Sequence, residues 1–322
     1  MKIIAIDYGG GASYHRLRLP LEYLQADFSN FLTKELVRNY DIVWLHMNCE
    51  IPVAELAIWK RELRFKLIVD YDDSWNVPRT HLDYNKILPT IQNSKDLCML
   101  ADHVIVSTEP LKVEKKEYNQ NVTIIRNRIP YGKGQFQINN ESFNSFNKRK
   151  LRVGFTGSIR SHFHDWNPIL PQIRRISKMD CELIFIGSDQ SKEWHQFDSI
   201  ARLIPLQTRT DYIKAYNMID IMLCPLSESH YNECKSELKA LEAACSKSIC
   251  VLSELYEQKS VICDYHVYCN GQYDDKVADL LKEDPIDLYD WKIDMSEGII
   301  SATDYEIQCV WPRQKICQLL EK

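Results

Sequence analysis

The sequence has no apolar run long enough to cross a membrane, no low-complexity tract and no internal repeat. A transmembrane helix needs about 20 consecutive apolar residues, so the sequence argues against a membrane-spanning protein. Residues 1–6 are also too short to form the apolar region of a secretory signal. We therefore expect a cytoplasmic location.

Cysteine pairs of the Cys-x-x-Cys type are also missing, although the chain holds 11 cysteines. The number is odd and the spacing is scattered, which fits neither a disulfide framework nor a zinc site. Several cysteines fall in apolar runs or helical patterns, namely Cys181, Cys224, Cys250 and Cys309. This pattern indicates buried, reduced thiols and the reducing environment of a cytoplasm.

A general excess of basic side chains is missing too, since the net charge is −5. Residues 1–131 hold 17 basic and 17 acidic side chains, residues 132–152 hold 5 and 1, and residues 153–322 hold 18 and 27. A protein that grips nucleic-acid phosphates needs several Lys or Arg on one surface, so this balance argues weakly against such a function. Local basic groups remain at residues 61–66 and 148–150.

Short apolar runs alternate with helix-length segments along most of the chain. Runs begin at residues 2, 42, 67, 104 and 122, and a second series begins at residue 151. Strands separated by helices predict parallel sheets with right-handed crossovers. Residues 132–150 lose this periodicity and gain Asn, Ser and Gly, which predicts a linker. With 322 residues and 45% apolar composition, we expect two α/β domains.

Residues 219–253 predict a strand–helix–strand unit that organises the second half. Between two apolar runs, a helical pattern extends from about Lys235 to Ala244. Lys235, Lys239 and Glu242 fall at positions i, i+4 and i+7, on one face of that helix. One interpretation is an ordinary solvated face with Glu/Lys pairing. The other is an anion site, because a helix N-terminus favours a phosphate.

This unit resembles the donor-binding signature of glycosyltransferase family 4 and its relatives. The matching residues are Asn232, Cys234, Lys235, Ser236, Lys239, Glu242, Ala243 and Ala244. The resemblance implies that the helix N-terminus faces the diphosphate of a nucleotide sugar and that Glu242 holds the ribose hydroxyls. The commoner pattern has two Glu with seven residues between them. Here the first falls at Cys234, and Glu233 lies one place early.

A glycine-rich loop follows the first apolar run, at Gly9, Gly10 and Gly11. A plain tight turn is one interpretation, because glycine tolerates turn conformations. In related glycosyltransferases such a loop closes over the donor phosphates, which implies that Gly10 and Gly11 contact the donor. The following residues resemble a Y-x-R-x-x-x-P element, and we expect His15 and Arg16 on the acceptor side.

Three aspartates, Asp70, Asp72 and Asp73, follow the third predicted strand. An Asp-x-Asp pair at a strand end is how the other large glycosyltransferase fold holds a divalent ion, and Mg²⁺ or Mn²⁺ prefers such oxygen ligands. The cluster also resembles a D-x-D-D segment that faces the interdomain cleft in family 4 relatives. We favour the second interpretation, with Asp72 and Asp73 at the cleft and no metal.

The loop after residue 156 resembles the G-S-x-x-T-H-x-x-D-L turn of the same relatives. The resemblance implies that Gly157 and Ser158 contact the donor and that Arg160 and His162 lie where the diphosphate arrives. Asp165 either matches the family aspartate or caps the next helix.

Taken as a whole, the resemblance implies an α/β fold with two Rossmann-like domains facing across a cleft, the GT-B arrangement. Residues 1–131 would form the acceptor-side domain and residues 151–303 the nucleotide-sugar domain, with a helix at about 304–322 packing back on the first. The expected reaction is transfer of a sugar from a nucleotide diphosphate sugar to a hydroxyl, with retention of configuration and no permanently bound cofactor. The predicted catalytic groups are Lys235, Arg160, His162, Asp72 and Asp73, and the predicted donor contacts include Ser236, Lys239 and Glu242.

The sequence is also compatible with other functions. We favour a carbohydrate hydroxyl as acceptor, but a phage-type enzyme that glycosylates hydroxymethylated DNA bases shares the donor chemistry. A non-catalytic sugar-nucleotide-binding protein is the alternative of another class, since one signature Glu is absent. A sugar-nucleotide epimerase is the least favoured.

Overall fold

The computed structural model describes residues 1–9, 11–187, 192–205, 214–255 and 267–321. Two six-stranded sheets, each parallel throughout, organise the chain. The fold is α/β with two domains, as the alternating runs predict. Among the described residues, no helix combines the length and the apolar character needed to cross a membrane.

The first sheet lies in the order β2-β1-β3-β4-β5-β6. Its strands are β1 (Ile3–Ile6), β2 (Asp27–Ser29), β3 (Ile42–His46), β4 (Lys66–Tyr71), β5 (His103–Val106) and β6 (Val122–Ile124). Strand order reverses between β1 and β3, and a crevice opens beyond the carboxyl ends of strands at such a reversal. The crevice of this first domain is therefore bordered by the segments that follow Ile6 and His46.

The second sheet lies in the order β12-β11-β10-β7-β8-β9. Its strands are β7 (Leu151–Thr156), β8 (Cys181–Gly187), β9 (Arg202–Pro205), β10 (Ile221–Cys224), β11 (Ile249–Ser253) and β12 (Val267–Cys269). The reversal here lies between β7 and β10. The loop after Thr156 and the segment after Cys224 therefore border the crevice of this second domain.

Helices cover the faces of both sheets, so the central strands are buried as parallel strands usually are. In the first half they are Gly11–Ser13, Leu19–Glu22, Lys34–Val37, Val53–Leu63, Tyr84–Leu100 and Glu109–Lys116, with a π-helical turn at Tyr14–Arg18. Later described helices are Phe143–Phe146, Phe163–Trp166, Leu170–Ile176, Lys192–His195, His230–Glu233, Leu238–Ser246, Tyr273–Leu280, Pro285–Ala302 and Trp311–Leu320, with a 3₁₀ turn at Asn167–Ile169 and a π-helical turn at Glu306–Val310.

The C-terminal helix, Trp311–Leu320, contacts the first domain. Arg313 donates through Nη2 to Asp70 at 3.1 Å and to the carbonyl oxygen of Arg16 at 3.3 Å. All three side chains are buried. The described cysteines are free thiols, and all of them except Cys181 are buried.

Candidate active site

The helix Leu238–Ser246, here called the cleft helix, begins beyond the carboxyl end of β10. It starts later than the sequence pattern indicates, because Ser229 caps a separate short helix, His230–Glu233, by accepting from the backbone of Asn232 at 3.2 Å. Lys235 and Ser236 therefore lie in the junction between the two helices rather than inside one. The predicted helix start at about Lys235 is wrong by one turn.

Lys235 spans the cleft between the domains. Its ammonium donates to the carboxylate of Asp73, which follows β4 in the first domain, and to the hydroxyl of Tyr231 at 3.3 Å. Burial alone would lower the pKa of Lys235, but the charges of Asp73 and Tyr231 outweigh that effect and raise it above the ordinary value. The side chain therefore stays a cation at the mouth of the cleft helix.

Lys239 fixes the loop that follows β7. Its ammonium donates to the carbonyl oxygen of Thr156. Gly157 has φ +132°, and a Cβ at this position would lie 3.1 Å from Nζ of Lys239. The backbone conformation therefore favours glycine here, and any larger side chain would also press on the ammonium of Lys239. The adjacent Ser158 accepts through its hydroxyl from the backbone N–H of Ser161 at 3.1 Å.

Arg160 and His162 extend this loop toward the first domain. Arg160 lies 3.3 Å from the carboxylate of Asp83 and 3.7 Å from that of Glu193. His162 lies 3.1 Å through Nδ1 from Asp165, and burial lowers the pKa of His162 despite that carboxylate. Both predicted diphosphate contacts thus lie on the cleft side of the second domain.

Asp165 ties two loops together instead of capping a helix. It lies within Phe163–Trp166, and its Oδ1 accepts from the backbone of Ser227 at 2.8 Å and from the amide of Asn232 at 2.7 Å. The loop after β7 and the approach to the cleft helix are therefore held in one arrangement. The capping alternative for Asp165 is wrong.

Glu242 lies one turn and a half into the cleft helix and is buried. Its Oε1 lies 3.1 Å from Nε2 of His15 in the first domain, and its Oε2 accepts from the hydroxyl of Tyr216 at 2.5 Å. Each carboxylate oxygen can accept more than one hydrogen bond. Tyr216 was not singled out in the sequence, because it lies 26 residues before its partner.

Cys234 stands where the commoner signature has its first Glu. Its side chain is buried in the apolar core cluster of the first domain, and its carbonyl oxygen accepts from the hydroxyl of Thr108 at 3.1 Å. Asn127 similarly donates to the hydroxyl of Ser236 at 2.6 Å. This stretch therefore contributes contacts between the domains as well as the cation of Lys235.

Arg16, predicted on the acceptor side, is buried inside the first domain. It donates to Asp70 at 2.6 Å, to the carbonyl oxygen of Ile125 at 2.6 Å and to Asn127 at 3.1 Å. Gly11 begins the helix after the glycine-rich loop, whereas Gly10 lies outside the described residues.

Asp72 and Asp73 both lie near Lys235, at the cleft. Asp73 meets Lys235, and Asp72 lies 2.8 Å from Nε2 of His46. His46 was missed because it ends an apolar run and carries no motif of its own. The signal available was its place at a strand end, next to the strand that leads to Asp72.

Among the described residues, one group of side chains has its ligand atoms close enough together to bind a metal ion, namely Glu114, His230 and Cys234. Glu114 is already engaged there by the ammonium of Lys115, which lies beside it, and by the backbone of Trp75 at 3.1 Å. A neighbouring ammonium disfavours a second cation at this carboxylate. The group is therefore better described as an interdomain polar contact.

No protein-family model matches the sequence, and no curated protein matches it. Solved structures do match its fold. HepE from Anabaena, in a complex with UDP and glucose, is 11% identical with a TM-score of 0.69, over 100% of this chain and 99% of that chain. A glycosyltransferase from Rickettsia africae ESF-5 is 12% identical with a TM-score of 0.63, over 100% and 90%.

A third match is an α,α-trehalose-phosphate synthase (UDP-forming) from Burkholderia xenovorans, in a complex with glucose-6-phosphate. It is 10% identical with a TM-score of 0.59, over 87% of this chain and 73% of that chain. At such identities the likeness establishes the fold. The chain therefore has the GT-B arrangement, two Rossmann-like domains facing across a cleft.

Proposed function

We propose that this protein transfers a sugar from a nucleoside diphosphate sugar to a hydroxyl acceptor. The proposal is carried by the position of Lys235. This side chain stays protonated, lies just before the cleft helix, and bonds across the cleft to Asp73 of the first domain. A helix N-terminus and a fixed cation together suit a diphosphate. Glu242 lies on the same helix and would accept from the ribose hydroxyls. HepE was solved with UDP and glucose, which makes a uridine donor the first to test.

The chemical task is to stabilise the leaving diphosphate while positive charge develops on the sugar ring. Positive groups that are already held beside the diphosphate stabilise the negative charge that it gains, and they do not have to move first. Lys235 would contact the diphosphate together with Arg160, which lies on the cleft side of the loop after β7. Lys239 and Gly157 hold the backbone of that loop. By the resemblance to family 4, the anomeric configuration would be retained.

The acceptor is proposed to be a carbohydrate hydroxyl bound against the first domain. The groups of this domain that reach the cleft include the carboxylates of Asp72 and Asp73, and carboxylates accept hydrogen bonds from sugar hydroxyls. The same carboxylates repel nucleic-acid phosphates. A duplex acceptor would need basic side chains from elsewhere, such as the connector at residues 148–150.

The test is a donor and acceptor screen that measures free nucleoside diphosphate. UDP, GDP and ADP sugars are each combined with monosaccharide and disaccharide acceptors and with a hydroxymethylated oligonucleotide. Transfer to a sugar supports the proposal. Transfer to the oligonucleotide, with binding that weakens steeply as salt rises, would identify the DNA-modifying alternative. Donor binding without any turnover would indicate a non-catalytic protein that binds sugar nucleotides.

Turnover is expected to survive a chelator. Both carboxylate oxygens of Asp70 are bonded to arginines, Oδ1 to Arg16 at 2.6 Å and Oδ2 to Arg313 at 3.1 Å, so the Asp-x-Asp pair does not present two free carboxylates. The measurement is the rate with EDTA, compared with the rate after Mn²⁺ is restored. Loss of activity that Mn²⁺ reverses would contradict this prediction and assign Asp70 and Asp72 to a metal site.

Glu242→Ala is expected to raise the KM for the donor much more than it lowers kcat. Each hydrogen bond to a charged group contributes about 1.5–3 kcal/mol, and the ribose contact exists both before and during the reaction. Calorimetry with the nucleoside diphosphate measures the affinity directly. Tyr216→Phe is the matched control, because it removes the 2.5 Å bond to Glu242 and keeps the carboxylate. Unchanged donor affinity in Glu242→Ala would contradict the assignment.

A further inference from the structure

A pocket of about 440 Å³ lies where the chain crosses between the two domains. One wall comes from residues 129–133, which follow β6 and lead toward the second domain. The other wall comes from residues 300–311, where the helix Pro285–Ala302 ends and the C-terminal helix begins. We call this cavity the crossing pocket, because both segments that connect the domains border it.

The crossing pocket is separate from the proposed donor site, although both adjoin the cleft helix. The described lining residues of the pocket include none of those assigned to the donor. Tyr131 lines the pocket, and its hydroxyl donates to the carbonyl oxygen of Leu241 at 2.8 Å. Ser296, on the helix that supplies Ile300 to the pocket, donates to the carbonyl oxygen of Ala244 at 2.7 Å. A ligand in the pocket would therefore occupy a different position from the donor.

The lining of the crossing pocket is mostly apolar and aromatic. Trp311 and Ile307 are 52% and 51% exposed, and Tyr131, Ile300 and Tyr305 line the same pocket. Small-molecule pockets have volumes of about 300–1,000 Å³, are lined mainly by apolar and aromatic side chains, and often lie between domains. The crossing pocket has each of these properties, and half of the Trp311 side chain is accessible to a ligand.

The charged groups of the described lining are two carboxylates and one ammonium. Nζ of Lys133 lies 3.2 Å from Oε1 of Glu306, so the ammonium already has a partner. Asp304 accepts through Oδ1 from the backbone N–H of Ile307 at 2.8 Å. This excess of negative charge disfavours a phosphate or a nucleotide. Carboxylate oxygens each accept more than one hydrogen bond, so hydroxyl groups can still donate to Asp304 and Glu306.

A neutral sugar matches both parts of this lining. Its hydroxyls can donate to the carboxylates, and the C–H groups of its ring can lie against an aromatic face, which carries partial negative charge. We infer that the crossing pocket binds a short neutral oligosaccharide, with a sugar ring against Trp311 and hydroxyls donating to Asp304 and Glu306. The site binds without chemistry. The inference goes beyond the proposed sugar transfer and does not depend on it.

The experiment is calorimetry of the full chain with neutral trisaccharides, namely maltotriose, cellotriose and triacetylchitotriose, in the presence of excess UDP. We expect at least one of them to bind. Trp311→Ala should weaken that binding about 10-fold or more, because aromatic side chains dominate the contact energy of such sites. The matched control is Leu319→Ala, which shortens a side chain of the same helix that is 67% exposed and lies outside the pocket. It should bind as wild type.

Glu306→Gln is a second variant, which keeps the size of an exposed side chain and removes its charge. It should weaken binding of the trisaccharide about 5-fold, because a hydrogen bond to a charged group is stronger than one to a neutral group. The midpoint of urea unfolding shows whether each variant is folded. If Trp311→Ala does not fold, Glu306→Gln decides the test in its place.

Every other outcome overturns the inference. One is that none of the trisaccharides binds, and another is that the folded Trp311→Ala protein binds them as wild type does. Binding of inorganic phosphate that Trp311→Ala abolishes would show that the pocket holds an anion. A wild-type dimer that Trp311→Ala dissociates, measured by light scattering, would show that a second copy covers the pocket. Since these measurements involve no turnover, they are unaffected if the proposed sugar transfer fails.

Discussion

Lys235→Ala is expected to lower kcat about 10²–10³-fold, the loss seen when one fixed donor to a developing negative charge is removed. The corresponding rise of the barrier is about 2.7–4 kcal/mol. Lys235 is suited to this role because its ammonium is already held in the cleft by Asp73 and Tyr231 before any ligand arrives. Steady-state kinetics with the donor identified by the screen measures the effect.

Two further variants sharpen that test. Lys235→Arg keeps the positive charge and should recover part of the rate, although arginine distributes its charge over a larger group. Lys282→Ala removes an exposed lysine that pairs with Asp279 on the surface and should leave turnover unchanged. A wild-type kcat in Lys235→Ala would contradict the assignment, whatever the donor.

The sequence predicts the fold well where apolar runs are long and buried. The runs at β3, β4, β7, β8 and β11 all became strands, because parallel strands covered on both faces need continuous apolar residues. The sequence missed β2 and β12, which have three residues each and lie at the sheet edges. β2 holds only one apolar residue, Phe28, which is too few to distinguish a strand from a loop.

The site was predictable in part, for a different physical reason. Lys239 and Glu242 lie three residues apart on the cleft helix, so helical spacing alone puts them on one side of it, whereas Lys235 is close to them in sequence but lies before that helix. His46 and Asp72 lie 26 residues apart, and Arg313 lies 243 residues after Asp70. Such pairs depend on strand register and on the path of the C-terminal helix, which composition and periodicity do not determine.

A buried chain of polar contacts links the C-terminal helix to the cleft. Arg313 and Arg16 donate to the two oxygens of Asp70, at 3.1 Å and 2.6 Å. Arg16 also donates to Asn127 at 3.1 Å, and Asn127 donates to Ser236 at 2.6 Å, next to Lys235. One carboxylate in the first sheet therefore supports both the packing of the C-terminal helix and the junction before the cleft helix.

Asp70→Asn is expected to destabilise the first domain by about 3–5 kcal/mol, the usual cost of leaving a buried charge without its partner. Asp70, Arg16 and Arg313 are 0%, 1% and 0% exposed, so water cannot replace the lost carboxylate. The two guanidinium groups would also face each other with no negative charge between them. The midpoint of urea unfolding, followed by fluorescence, measures the loss.

The control for Asp70→Asn is Glu62→Gln, which removes an exposed ion pair with Lys34 in the same domain. Solvent screens such a pair, so the unfolding midpoint should change little. If Asp70→Asn unfolds at the wild-type midpoint, Asp70 is not the partner on which the two arginines depend. Because Arg16 positions Asn127, a folded Asp70→Asn protein should also bind the donor more weakly than wild type. Normal donor affinity in that variant would show that the contact between Asn127 and Ser236 is held without Arg16.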